Sequence, residues 1–485
     1  MSSPSESGAP AAPSGRPAPI QHPPGYRARR FRNWLLLGLL YAGYYLCRYN
    51  LGAVAPEMGR EYNLDNAKIG MLSTVRDVGY AVGNFVNGLF ADMLGGKQAM
   101  AVGALSTIVL NLIFGFLVGG VGMDIAVLLL LMYAVRALDG YAQSFGAPGM
   151  VKTNAAWFRR EERGKFAGLF GLVIQLGNAA ANSLSGLLVT GASIVVGGIT
   201  LTLIPQLGWK AMFFVPPAIV AVLLVAMWLG VKNYPEEAWF QIQRDESEGK
   251  TAGQTGPSAA AERLPLGLVV RTIARNPLTW INASAYFCTG FVRRASDFWW
   301  PKYLDNVWHL GKDSDEFRWL AILLPLSAVG GSFFAGWLSD TFFRSRRSPV
   351  AAALYTIETA VILGTWLLLA NPSVASAPLA CVALVMISFT CNSSHSIIGT
   401  AAVMDIGGPR MAGFTLGVVN FFQYLGSILA GYGLGLLIDV TKDWDFALTR
   451  NWNAAFGAML PFSALGMILM IRLWLKTRGK DVRGA

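Results

Sequence analysis

Two arginines stand deep inside long apolar runs, Arg48 in LLLGLLYAGYYLCRYNLGAV and Arg293 in INASAYFCTGFVRRASDFWW. A guanidinium keeps its charge and presents a fork of donors that fits two oxygens of a phosphate or carboxylate. In the middle of an apolar helix such a group is costly and normally faces a partner or a water-filled path. Tyr41 and Tyr45 precede Arg48 by seven and three positions, so all three share one helical face. The chemistry on offer is recognition of an anion. No phosphate-cradling GxxxxGKS/T loop, metal-ligand spacing or nucleophile constellation accompanies these residues. No cofactor, metal or catalytic role is therefore expected.

The elements that must carry these arginines are membrane helices. Of 485 residues 54% are hydrophobic and only 14% charged, against roughly 25% charged in soluble domains. A span takes about 20 mostly apolar residues, and the chain has room for about twelve. The expected spans lie near 34–57, 67–91, 98–119, 123–147, 163–190 and 209–231, then 277–300, 316–341, 349–370, 376–404, 409–438 and 452–475. The stretch 188–207 is also apolar, but a span there would set the two halves in opposite orientations. It is read as a helix extension, a re-entrant piece or a non-spanning loop. Residues 1–32 are expected to form a disordered cytoplasmic tail, whose positions 1–26 are rich in Pro, Ser, Ala and Gly and lack the order of a cleavable signal. Bundles are expected over 33–231 and 276–476, joined by a polar linker, 232–275, that ends in a short amphipathic stretch, LPLGLVVRTIARNP. A second tail covers 477–485. Cys47, Cys288, Cys381 and Cys391 all lie in apolar segments and read as buried free thiols.

The net charge of +11 would suggest nucleic acid in a soluble protein. Here the bases gather in tails and alternate loops: Arg27, Arg29, Arg30 and Arg32; Arg159, Arg160, Arg163 and Lys165; Arg344, Arg346 and Arg347; Lys476, Arg478, Lys480 and Arg483. All four clusters fall on one side, which the positive-inside rule makes cytoplasmic. Both termini are then inside, and a bacterial cytoplasmic membrane is the expected location. The partners expected are the lipid bilayer and a small anion, with no nucleic acid and a monomeric state.

The halves repeat. GLFADMLGGK, from Gly88 to Lys97, is echoed by GWLSDTFFR, from Gly336 to Arg344, with Asp92 and Asp340 248 positions apart. Arg48 and Arg293 stand 245 apart. Two features at nearly one offset indicate a duplicated six-helix unit. The doubled Gly-x-Leu/Phe-Ala/Ser-Asp motif followed by a base resembles the signature loop of the major facilitator superfamily. That resemblance implies an all-α fold of twelve spans in two pseudo-symmetric bundles. It also implies a latch for one transport state at Asp92, Lys97, Asp340 and Arg344. YAGYYLCRYN (41–50), WFRREERG (157–164) and FVRRASDFWWPKYL (291–304) further resemble the organophosphate:phosphate antiporter family. By that resemblance Arg48 and Arg293 grip a substrate phosphate, with Tyr41, Tyr45 and Tyr424 lining the same cavity. Arg294 competes with Arg293 for the role. Members of that family carry a Lys in the second helix and a His in the fifth. Asn84 and Ile174 take those places here, so the cavity is expected to be less basic.

Other polar residues fall at helical spacing: Asp77, Tyr80, Asn84 and Asn87 in the second helix, and Gln175, Asn178 and Asn182 in the fifth. Such faces line a cavity or bond between helices; Asn84 and Gln175 are taken as substrate contacts. Asp77, Arg136 and His395 are the candidates for coupling, with Glu358 and Asp405 behind them, and Arg136 can pair with Asp139. The function expected is secondary transport of a small organic anion, foremost a phosphorylated metabolite, by alternating access. Phosphate or a proton would be the counter-ion. A proton-coupled carrier of sugar acids and a transporter-like sensor of sugar phosphate are the alternatives.

Overall fold

The computed structural model describes residues 23–120, 123–158, 160–196, 199–240, 271, 275–343, 347–402 and 418–477. Arg344, Asp405, the linker stretch 241–270 and the side chains of Asp92 and Asp340 lie outside the described residues.

Thirteen long helices make twelve spans among the described residues. They are α1 (Tyr26–Glu61), α2 (Asn66–Leu94), α3 (Gly96–Gly119), α4 (Ile125–Gln143) continued by α5 (Gly146–Trp157), α6 (Arg160–Thr190) and α7 (Val215–Gly230). The second set is α8 (Pro277–Trp308), α9 (Asp315–Phe342), α10 (Arg347–Leu369), α11 (Ala377–Ser396), α12 (Val418–Val440) and α13 (Trp452–Thr477). The starts follow ordinary capping chemistry. Asn276 accepts from the Leu278 amide at 3.0 Å, with Pro277 in the first helical position. Ser314 accepts from the Phe317 amide, and Asp315 and Glu316 sit in the first turn of α9. Large apolar side chains such as Phe116 and Leu229, 70% and 76% exposed, turn outward where lipid would cover them. Eight spans qualify as membrane-crossing by length and hydropathy alone. The others, α1, α2, α6 and α8, are broken up by charged and amide residues, and three of them carry the site.

The apolar stretch after α6 is neither a span nor a helix extension. Gly191, at φ 72°, closes α6. Strand β1 (Ala192–Val196) then pairs antiparallel with β2 (Ile199–Ile204), Ser193 opposite Thr202 and Val196 opposite Ile199. The β-branched run SIVV/ITLTLI favours an extended conformation over a helix.

The repeat seen in the sequence is a repeat of packing. In the first half α1 packs on α7, α2 on α4 and α3 on α7; in the second α8 packs on α13, α9 on α11 and α10 on α13. The halves meet through α2 against α12 and α6 against α9, again equivalent pairs. Four cysteines are free, three buried and Cys381 half-buried.

The polar contacts described between the halves lie at mid-depth and at the face away from the chain's amino terminus. At that far face Arg60 pairs with Asp305, and Lys312 reaches Glu57 at 2.9 Å. Burial pulls the Lys312 ammonium below its usual range, and the Glu57 carboxylate opposes that shift. Asp439, at the end of α12, caps α2 of the other half. It accepts from the Ala67 amide at 2.8 Å and from the Asn66 side chain at 2.6 Å. A carboxylate on a helix amino terminus satisfies orphan donors and complements the dipole. Asp439→Ala is expected to weaken closure of the far face by about tenfold, the scale of a lost cap. Maleimide labelling of a cysteine at Thr74, whose hydroxyl meets the Ile428 carbonyl across this interface, should accelerate accordingly; an unchanged rate would contradict the assignment.

Candidate anion-binding site

At mid-depth a cavity is lined by Tyr45, Arg48 and Tyr49 of α1, Arg76 of α2, Arg293, Arg294 and Asp297 of α8, and Gln423, Tyr424 and Ser427 of α12. Both halves thus contribute to one site, at the level where repeat-related arginines converge.

Arg48 is held from three directions. Its Nε donates to Gln143 Oε1 at 3.0 Å, and its guanidinium lies over the rings of Tyr45 and Tyr80, 4.4 and 4.5 Å from their centroids. Gln143 in turn donates to Asp139 at 3.0 Å, and Asp139 pairs with Arg136 at 3.4 Å. The stack aims the guanidinium rigidly, as an aromatic pocket does for a cation. Arg48 Nη2 remains buried without a hydrogen-bond partner. An unsatisfied buried donor of this kind is expensive. Tyr41 packs behind Tyr45, with ring centroids 5.4 Å apart, and Tyr80 meets Tyr424 across the halves at 4.9 Å.

On the opposite wall Arg293 contacts Asp297 at 3.4 Å and His395 Nε2 at 3.0 Å. Arginine has no acceptor, so His395 Nε2 accepts, and the imidazole is neutral with its proton on Nδ1. The Tyr286 hydroxyl lies 3.2 Å from the same nitrogen, and its ring stacks on the imidazole. His395 therefore braces the second arginine. Arg294 turns to Asp77, which lies in the first half and also accepts from Arg76 Nη1 at 2.9 Å. Asp77 is fully buried, and Arg76 is only 2% exposed with Nε and Nη2 unpartnered.

The cavity brings together Arg48, Arg293, Arg294, Tyr45 and Tyr424. Tyr41 supports it from behind. Asn84 and Gln175 are not among its lining residues. Asn87 donates its amide to Ser144 and the Tyr141 carbonyl of α4, and Asn182 bonds Asn178 one turn earlier on its own helix, so these amides are satisfied within the protein, whereas Asp77 and Tyr80 of the first stripe reach Arg294 and Arg48. Arg136 and Asp139 pair, and Asp139 braces Arg48 through Gln143. Glu358 is fully buried on α10, outside the cavity wall. Of the repeated loop, Lys97 is described: its amide donates to Asn233 at 2.8 Å and its ammonium lies 4.7 Å from the Trp228 ring centroid. The residues missed from sequence are Tyr49, Asp297, Gln423, Ser427 and, above all, Arg76. Arg76 supplies the basic character that the Asn84 and Ile174 positions lack. Its signal was present, an arginine in mid-span, but the adjoining Asp77 reads as its private counter-ion.

Two repeated bundles around a buried cationic cavity define a multi-pass membrane protein of the alternating-access kind. The chain belongs to the Major Facilitator Superfamily, whose family model matches residues 37–431 and 309–484. Among characterised relatives it is 25% identical to the glycerol-3-phosphate transporter of Bacillus subtilis, over 92% of this chain and 93% of that protein. It is 25% identical to the membrane sensor protein UhpC of Escherichia coli, over 89% and 93%. A crystal structure of a bacterial homologue of the human lysosomal transporter Spinster, inward-facing and unoccupied, superposes with a TM-score of 0.67 at 15% identity. That match covers 93% of this chain and 99% of the other.

Proposed function

We propose that the protein is a secondary transporter of a phosphorylated small metabolite, such as glycerol phosphate or a sugar phosphate, which binds between Arg48 and Arg293. One observation carries this reading. Four guanidiniums line the cavity, and among the described residues Asp77 and Asp297 are the carboxylates paired with them, an excess of two positive charges. A phosphate monoester carries about two negative charges near neutral pH. Arg48 Nη2 waits unpaired on one wall, and displacement of His395 would free a donor of Arg293 on the other. The resemblance to a glycerol-3-phosphate transporter points the same way.

The face bearing the basic clusters is cytoplasmic in this reading, with both termini inside a bacterial cytoplasmic membrane and the protein a monomer. Residues 33–231 and 276–476 rock as two bundles on the linker 232–275. Asp92 with Lys97, and Asp340 with Arg344, latch one state. Inorganic phosphate is the counter-ion, since it fits the same two arginines. A sensor that binds the ester without moving it is the second reading, favoured by the likeness to a membrane sensor protein.

Thermal denaturation of the purified protein with a ligand panel tests the substrate class. A ligand that binds only the folded state raises stability in proportion to RT ln(1 + [L]/Kd). Glycerol phosphate and hexose phosphates should raise the melting temperature, and sugar acids of the same size should not. Stabilisation by sugar acids alone would overturn the proposal.

A further inference from the structure

We propose that Asp77 sets the charge of the substrate this transporter accepts; the inference rests on the phosphate-ester reading and refines it. Asp77 is fully buried and bonds guanidiniums from both halves, Arg76 beside it on α2 and Arg294 on α8. Among the described residues it is the carboxylate that pairs with two of the four cavity arginines. Asp297 serves Arg293 on its own helix. Arg136 and Asp139 cancel each other outside the wall, and His395, which accepts from Arg293, adds no charge.

The ledger of the wall is therefore two positive charges with Asp77 in place and three without it. In a site screened from water, each unit of charge acts on a bound anion far more strongly than at a surface. With Asp77 present, the match is to a dianion, a phosphate ester whose remaining groups are neutral. A phosphate ester that also bears a carboxylate brings three negative charges, leaves one unmatched, and meets Asp77 as a like charge beside the arginines it would need. Arg76 and Arg294 already hold one carboxylate between them. With Asp77 neutralised, that pair becomes a seat for the carboxylate of the substrate. Asp77 thus acts as an internal stand-in that excludes phosphorylated acids.

The test is equilibrium binding of glycerol 3-phosphate and 3-phosphoglycerate to the full chain in lipid nanodiscs near pH 8, where phosphate esters carry close to their full charge. In the wild type glycerol phosphate should bind more tightly. Asp77→Asn should raise the ratio of phosphoglycerate to glycerol phosphate affinity by about tenfold or more, and Arg294→Gln should lower it. Asp77→Glu, which keeps the charge, should hold the wild-type ratio. The double variant Asp77→Asn/Arg294→Gln restores the excess of two and should return the ratio toward the wild type, a rescue that a merely structural role does not provide. A ratio within twofold of the wild type in Asp77→Asn, or a double variant that keeps the shifted ratio, overturns the proposal. Should Asp77→Asn not fold, Arg294→Gln decides alone: a ratio that fails to fall refutes the assignment. Wild-type protein that binds neither ester refutes the transport reading itself, whereas glycerol phosphate binding with an immobile ratio refutes only the role of Asp77.

Discussion

Replacing Arg48 or Arg293 by alanine is expected to cut phosphate-ester uptake by at least about a hundredfold, and Arg48→Lys is expected to recover little of it. Truncating one partner of a buried, hydrogen-bonded charge pair costs about 2–5 kcal/mol, which is thirtyfold to several thousandfold. Arg48 lies at the upper end of that range because its guanidinium is fixed from three directions. Its Nε is committed to Gln143 and its face to Tyr45 and Tyr80, so Nη2 is aimed by fixed neighbours. A lysine ammonium has neither the planar fork nor the flat face that stacks between two tyrosines. Arg293 is braced by Asp297 and His395, and its loss also leaves Asp297 without its cation. Uptake into proteoliposomes, normalised to reconstituted protein, is the measurement. Retention of more than a tenth of wild-type uptake by either alanine variant would remove that arginine from the proposed site.

The second large effect is conformational. Gly70 of α2 lies so close to Gly431 of α12 that a Cβ on Gly70 would collide with the Gly431 carbonyl, and the Trp299 ring stands 3.2 Å away. Backbone does not yield as a flexible side chain does. Gly70→Leu is therefore expected to prevent the halves from closing at the far face. Overpacking of this kind costs about 1–3 kcal/mol or more, enough to shift a two-state equilibrium by roughly tenfold to a hundredfold. Transport by alternating access needs that closed state in every cycle, so uptake should fall by about tenfold or more even though no site residue changes. Spin labels at Asn63 and Lys442, at the far ends of α2 and α12, should report a longer mean separation. An unaltered distance distribution with normal uptake would show that this contact is not part of the cycle.

Much of the fold was legible because membrane helices are written in bulk hydrophobicity and loop charge, both of which survive without tertiary information. The offsets joining Asp92 to Asp340 and Arg48 to Arg293 exposed the duplication, since two features rarely share a spacing by chance. The break between α4 and α5 had a signal in Gln143, Ser144, Gly146, Pro148 and Gly149, but the apolar residues on either side masked it. The hairpin after α6 is apolar enough for a helix, and its β-branched content was the available signal.

The site was legible where a residue was improbable on its own. An arginine in mid-span demands an explanation, so Arg48 and Arg293 stood out. Helical stripes were weaker guides, because spacing gives the angle around a helix but neither depth nor partner. Asn84 and Gln175 share faces with buried neighbours and yet stand off the cavity wall. Arg76 was passed over for a related reason. Residues adjacent on a helix point in different directions, and nothing in the local run Arg-Asp says that Asp77 also meets Arg294 from the other half. That contact exists only once α2 and α8 are set side by side. His395, a coupling candidate on sequence, sits against Arg293, whose Nη1 donates to its Nε2 at 3.0 Å, a contact that sequence spacing cannot show.

Whether this cavity carries phosphate esters across the membrane is measured most directly by exchange in proteoliposomes loaded with inorganic phosphate and given labelled glycerol 3-phosphate outside. Saturable uptake that depends on internal phosphate and is lost in Arg48→Ala is the expected result. Binding of the ester with no flux under any internal anion would make the protein a sensor rather than a transporter, and uptake indifferent to Arg48 would place the substrate elsewhere.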